Sequence, residues 1–110
     1  MPSPIPPVIE SYFRAKNAHD IAAIAACFHP EAVVQDEGKE LRGLDAIRGW
    51  VEETTRKYAV TAEITDTREQ GGKTIVTALV SGNFDGSPIS LDFHFGLREG
   101  KISALSVEVP

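Results

Sequence analysis

The sequence predicts an α+β domain in which three helices pack on one face of a curved antiparallel sheet. Two patterns carry that prediction: apolar stripes at helical spacing lie before Tyr58, and apolar and polar residues alternate strictly between hairpin turns after it. Size is the third observation. A chain of 110 residues that is 42% hydrophobic makes a single domain, with core enough to fold without disulfides or metal.

Residues 1–7, Met1-Pro2-Ser3-Pro4-Ile5-Pro6-Pro7, read as an extended proline-rich arm, and the domain itself as 8–110. Pro6 and Pro7 can open a helix, because proline is at home in a first helical turn. Val8, Ile9, Tyr12, Phe13 and Lys16 then share one helical stripe, which stops around Asn17-Ala18. Asp20 is a good N-cap for a second helix whose Ile21, Ile24, Ala25 and Phe28 form one face, and Pro30 is expected to end it. Val33, Val34 and Gln35 predict a short strand running into the polar turn Asp36-Glu37-Gly38-Lys39-Glu40. After Gly43, Ile47, Trp50, Val51, Thr54 and Tyr58 line up on a third helix, and Asp45 in its first turn suits the helix dipole.

Everything beyond Tyr58 reads as β. Val60, Ala62 and Ile64 alternate with threonines and Glu63, and Gly71-Gly72 turns the chain into a β-branched run from Thr74 to Ser81. Asp85-Gly86-Ser87-Pro88 makes the next reversal. Ile89, Leu91, Phe93, Phe95 and Leu97 then form one apolar face, opposed by Ser90, Asp92, His94 and Gly96, before Glu99-Gly100 turns into a last strand from Ile102 to Val109. Four hairpin-linked strands curl under their own twist, and helices that cover one end leave a concave apolar cup.

Charge and composition exclude several classes. Eleven basic residues against 16 acidic give a net charge of -5, which disfavours nucleic acid, whose backbone is gripped largely by Lys and Arg. The nearest basic cluster, Arg42, Arg48, Arg56 and Lys57, is interleaved with Asp45, Glu52 and Glu53 and reads as a solvated face. The longest apolar run, Ile21 to Phe28, is far short of the roughly 18 residues that span a bilayer, and the prolines of the N-terminus do not suit a signal peptide. A cytoplasmic location is the expectation. Cys27 has no partner for a disulfide, the three histidines show no ligand spacing, and no strand leads into a phosphate-binding loop, so neither metal nor cofactor is expected.

Several segments together resemble a known superfamily: Tyr12-Phe13 with Asn17-Ala18-His19-Asp20, the run Phe28-His29-Pro30-Glu31-Ala32-Val33-Val34-Gln35-Asp36, Gly43-Leu44-Asp45-Ala46-Ile47, and Phe93-His94-Phe95 with Gly100-Lys101-Ile102. They are similar to the cone-shaped proteins of nuclear transport factor 2, ketosteroid isomerase and the SnoaL-like polyketide cyclases. The resemblance implies a cystatin-like cup with a pocket at its mouth, and a homodimer formed through the outer face of the sheet. It says little about chemistry, because that scaffold carries enzymes, binding domains and transport factors alike.

In ketosteroid isomerase a tyrosine and a protonated aspartic acid hold the developing enolate while a second aspartate moves the proton. The resemblance places Tyr12 at the tyrosine and Asp36 at the proton-shuttling aspartate. An ungapped count from Gly100-Lys101 puts Asp92 at the protonated acid, whereas alignment on His94-Phe95 puts Phe93 there. Alternation favours Phe93 in the cup, with Asp92 and His94 on the outer face as a cross-strand or dimer-face pair; the other register would offer them to the pocket. The expected site is therefore Asp36 and Tyr12 as the chemical groups, walled by Phe13, Phe28, Val34, Trp50, Phe93 and Phe95.

Each of these residues also has a plain structural reading: Asp36 as a turn residue, Tyr12 as a core aromatic, Trp50 as core. The functional expectation is a cup that binds a small apolar organic molecule. The alternatives are an isomerase, dehydratase or cyclase that moves a proton beside a carbonyl through Asp36, and a non-catalytic association module.

Overall fold

The computed structural model describes residues 5–36 and 38–110. Residues 1–4 of the expected arm lie outside them, while Ile5 packs against the core and Pro6 caps the first helix. That helix, α1 (Pro7–Asn17), starts on prolines for a simple reason: the first helical N–H groups have no partner inside the helix, so proline loses nothing there. The carbonyl of Pro6 accepts from Ile9 and Glu10 at 3.0 and 3.1 Å, and Ile9, Tyr12, Phe13 and Ala15 face inward. At its end, the Asn17 side chain accepts from the Ala62 N–H at 2.7 Å and donates to the Ala62 carbonyl at 3.0 Å, clipping the helix to the sheet.

Asp20 caps α2 (Ile21–Ala26), its carboxylate accepting from the Ala23 N–H at 3.1 Å. The helix stops before the expected Phe28. The last strand captures the chain first: the Ile102 N–H donates to the Cys27 carbonyl at 2.9 Å, and Phe28 pairs with Ile102. Pro30 consequently ends no helix. It lies inside β1 (Phe28–Asp36), in the stretch between Phe28 and Val33 where the register against β6 (Lys101–Glu108) shifts. A residue with no N–H for the ladder is tolerated at such an irregularity.

The polar segment read as a turn is mostly strand. Gly38, at φ 75°, reverses the chain into β2 (Lys39–Arg42), which pairs antiparallel with β1 from Asp36↔Lys39 to Val33↔Arg42. Three exposed, charged residues around the single half-buried Leu41 give no apolar alternation to read, so only the pairing reveals this strand. The Gly43 N–H then bonds to the Ala32 carbonyl at 3.0 Å, and α3 (Leu44–Tyr58) follows.

The remaining strands are β3 (Thr61–Gln70), β4 (Lys73–Ser81), β5 (Ile89–Arg98) and β6, a meander whose neighbours pair antiparallel. The full order is β2-β1-β6-β5-β4-β3. The described residues thus form three helices and a curved, unclosed six-stranded sheet, as the fold class predicted, with one amendment. The β1–β6 pair is parallel, so the sheet is mixed rather than wholly antiparallel.

The inner face of the sheet and the helices bury Ile9, Phe28, Val34, Ile47, Val76, Phe93, Phe95, Ile102 and Leu105. The rings interlock edge to face, Tyr12 with Phe95 at 5.6 Å and Phe13 with Phe93 at 5.1 Å. Leu97 leaves this pattern. The ladder with β6 slips between Gly96 and Leu97, which interrupts the alternation, and Leu97 is 39% exposed.

Candidate functional site: a largely apolar cavity at the mouth of the cup

The close-packed rings fill the narrow end of the cup, and the wide end stays open as a cavity of about 420 Å³. Such a volume lies within the range typical of small-molecule sites. Three elements supply its polar groups. Tyr12 and Lys16, one turn apart on α1, share one side; Asp36 reaches it because it follows Val34 by two residues on the inward face of β1. From α3 come Trp50, Thr54 and Tyr58, spaced at i, i+4 and i+8, while the adjoining stripe of Ile47 and Val51 is buried in the core. Val80, Ile89, Leu91, Phe93 and Val107 provide the aliphatic and aromatic sheet wall, and Phe84, Asp85 and Glu108 stand among the residues that complete the lining.

A hydrogen bond joins Trp50 to Asp36. The indole N–H donates to Asp36 Oδ2 at 3.0 Å, which ties the end of β1 to the middle of α3 and fixes the carboxylate at the cavity. Thr54 returns its hydroxyl to the Trp50 carbonyl at 2.9 Å and so presents its methyl group outward from that bond. Tyr58 meets Phe84 edge to face at 6.0 Å. That junction depends on Gly82: a Cβ there would lie 2.6 Å from the Tyr58 carbonyl oxygen, and the neighbouring Asn83 N–H already donates to the same oxygen at 2.7 Å.

Burial, and then the negative charge of Asp36, push the Tyr12 hydroxyl well above its usual range, with a smaller effect from Cys27. It therefore remains a protonated donor across the physiological range. Burial drives Lys16 the other way, from 10.5 down to about 8, although the Asp36 charge resists the fall. The Lys16 ammonium lies 5.7 Å from the centre of the Tyr12 ring and 6.0 Å from that of Phe93. Cys27 is buried with its thiol raised by desolvation, only partly opposed by Lys101, and its Sγ donates to the Ala23 carbonyl at 3.4 Å; it is an inert packing residue.

Of the expected site residues, Asp36, Tyr12, Trp50 and Phe93 line the cavity. Phe13, Phe28, Val34 and Phe95, expected in the wall, do not: each is at most 3% exposed and belongs to the packed apex below. In so short a chain the large rings that would make the deepest pocket wall are needed to close the core. Asp92 and His94 point to the opposite face of the sheet. Asp92 is 8% exposed, accepts from the Thr77 hydroxyl at 2.6 Å and from Arg68 at 3.2 Å, while His94 faces Glu108 at 3.2 Å. The Thr77 bond chiefly, with help from Arg68 and His94, holds the Asp92 carboxyl below the usual carboxylate range against the cost of burial. With Asp92 engaged there, Phe93 rather than Asp92 lines the cavity.

Lys16 has the clearest sequence signal among the residues not expected in the site: a lysine on an apolar stripe is either a stem lying along the core or a buried amine. Thr54 and Tyr58 extend the Trp50 stripe, whereas Phe84 and Asp85 lie in an irregular connection where no periodicity points inward. Among the described residues no group of three or more His, Cys, Asp and Glu side chains could hold a metal ion. Nor is any described helix long and apolar enough to cross a membrane.

Known structures share this architecture. A proposed polyketide cyclase from Sinorhizobium meliloti is 35% identical, with a TM-score of 0.90 over 94% of this chain and 95% of that one. A protein of ketosteroid isomerase-like fold from Catenulispora acidiphila, solved with trimethylamine, is 19% identical with a TM-score of 0.82 over 94% and 85% of the two chains. A cystatin-fold protein from Novosphingobium aromaticivorans is 18% identical, with a TM-score of 0.75 over 91% and 93%. No curated protein matches the sequence. The model of the SnoaL-like domain matches residues 9–105, from the first turn of α1 to the middle of β6, and so takes in every element that shapes the cavity. With nearly its whole length matched in sequence and in fold, the chain belongs to the SnoaL-like domain family.

Proposed function

We propose that this domain binds a small, largely apolar organic molecule between its helices and its sheet. One observation carries the reading: the cavity of about 420 Å³ has mainly aliphatic and aromatic walls, onto which Tyr12, Lys16 and Asp36 converge from two elements. An apolar enclosure with a few placed polar groups is the usual form of a small-molecule site. Trp50 lines the cavity and is the chain's single tryptophan, so its fluorescence reports occupancy directly. Titration with a panel of neutral mono- and bicyclic aromatics should quench it saturably for at least one member. Failure of every ligand of fitting size to bind would reject the reading.

A catalytic version is favoured by one contact. The Trp50 N–H fixes Asp36 at the cavity, as a group that moves a proton beside a carbonyl requires, and the proposed cyclase that is 35% identical suits an isomerase, dehydratase or cyclase of that kind. An Asp36→Asn variant should then bind the ligand but lose turnover by roughly 100-fold or more. Undiminished turnover in that variant would exclude Asp36 as the proton carrier.

In this reading two copies associate through the outer face of the sheet, where Arg68, Thr77, Asp92 and His94 offer a polar contact, and the protein works in the cytoplasm, consistent with its lone cysteine. Light scattering on the purified chain tests the dimer; a monomer at tens of micromolar would refute it.

A further inference from the structure

Lys16 has no role in the proton-transfer scheme, yet its amine opens onto the cavity. Three features surround it. The rings of Tyr12 and Phe93 lie 5.7 and 6.0 Å away, Asp36 shares the cavity with it, and the nearby walls are apolar. None of the ion pairs formed among the described residues involves Lys16, unlike the arginines of the surface. A primary amine so placed is a nucleophile for carbonyl carbon.

We propose that Lys16 captures a neutral aldehyde or ketone in the cavity as an imine. This inference rests on the small-molecule reading above and narrows it to a substrate class. The lone pair of the neutral Nζ forms the C–N bond while the carbonyl π pair moves to oxygen. Asp36 relays a proton from nitrogen to that oxygen, giving the carbinolamine. The C–O bond then breaks as nitrogen forms C=N, and the second N–H proton follows the same route, so that oxygen departs as water. No oxidant or reductant is needed, and hydrolysis reverses every step.

The charges around the amine select the carbonyl compound. Facing the cavity are Asp36 from β1 and Asp85 from the β4–β5 connection, with Tyr12 from α1 and Tyr58 from α3 as weak acids, while Glu108 of β6 turns its carboxylate to His94 on the outer face. Two carboxylates against one lysine repel an anionic keto acid or carboxylated aldehyde. The lowered proton affinity of Lys16, about 8 rather than 10.5, leaves much more free amine at pH 7.5 than an ordinary lysine has, on the order of 100-fold more.

The test uses the full chain with 2-naphthaldehyde as probe and cyanoborohydride at pH 7.5 to reduce any imine, followed by peptide mass mapping. We expect Lys16 to gain the mass of the aldehyde less one oxygen, at least about tenfold faster than Lys39, Lys57, Lys73 or Lys101, with any label on the α-amino group assigned separately to the N-terminal peptide. A 4-carboxybenzaldehyde control should label Lys16 at least about tenfold more slowly than the neutral probe. Lys16→Met should abolish the labelling while melting as a folded protein. Binding is read separately through Trp50 with 2-naphthalenemethanol, which cannot form an imine. Saturable binding of the alcohol with labelling absent, or spread evenly over the surface lysines, overturns the imine proposal and leaves the binding reading standing. If neither the alcohol nor any member of the aromatic panel binds and Lys16 is not labelled, both fall.

Discussion

Replacing Lys16 by Met should stabilise the protein at neutral pH, and by an amount that shrinks as the pH is raised. In the folded chain the amine holds its proton only to about pH 8, whereas an unfolded lysine holds it to 10.5. Between these values the unfolded state binds more protons than the folded one, so stability rises with pH through that window. Below pH 8 both states are protonated, and the folded state bears the full cost of a half-buried charge. At ~1.4 kcal/mol per pH unit this cost is about 3 kcal/mol. Attraction to the faces of Tyr12 and Phe93 returns roughly 0.5–1 kcal/mol, and water reaching the partly exposed chain end screens a further part. We therefore expect Lys16→Met to gain about 1–2 kcal/mol at pH 7 by urea denaturation, which corresponds to several degrees in Tm for a domain of this size. The gain should fall by more than half at pH 10. Tyr12 and Cys27, whose ionisation is suppressed in the fold, erode stability above about pH 9, but they are present in both proteins and cancel in the comparison. A loss of stability in Lys16→Met at pH 7, or a difference that does not vary between pH 7 and pH 10, would refute the argument.

Other perturbations probe the frame around the cavity. Gly82→Ala forces a methyl against the Tyr58 carbonyl and the Val60 side chain and should cost about 2–3 kcal/mol in chemical denaturation. Trp50→Phe removes the donor to Asp36 and should lower stability by roughly 1.5–3 kcal/mol, with no change in the secondary structure seen by circular dichroism. Ala59→Gly relieves an alanine held at φ 48° at the C-terminus of α3 and should raise stability by about 0.5–1 kcal/mol, visible as a higher Tm. Because the Asp92 carboxyl is held low in the fold, its contribution is complete above pH 4 and fades as the pH falls through the folded value; Asp92→Asn should be destabilised at pH 7, and the deficit should narrow in acid.

How much of this was legible before folding depends on whether a signal was local. The proline start of α1, the Asp20 cap, the stripe of α3 and the alternation of Phe93 and Phe95 are written within a few residues of one another, and each reappears as an element or a face. The same alternation told Phe93 from Asp92, because neighbouring side chains of a strand must point to opposite faces. Non-local pairing was invisible. Phe28 looks helical and Pro30 a helix stop until β6 pairs with Phe28, β2 has no apolar pattern of its own, and the parallel β1–β6 pair joins strands from opposite ends of the chain.

The cavity divides along the same line. Tyr12, Asp36 and Trp50 were candidates from spacing and resemblance, but whether an aromatic residue lines a cavity or seals a core depends on how far the sheet curls and where the helices meet it. Packing sent Phe13, Phe28 and Phe95 to the apex and left Trp50 and Phe93 at the mouth. Lys16 shows the limit most plainly: its stripe announced that it faces inward, and only the assembled walls decided that its amine would lie at the cavity, beside the Tyr12 and Phe93 rings, and be partly desolvated. The sequence by itself determined the order of helices and strands and which face of each is apolar, since both follow from periodicity along the chain. Only the tertiary structure decided which of those apolar faces close on one another and which enclose space, because that depends on distances between segments the sequence keeps far apart.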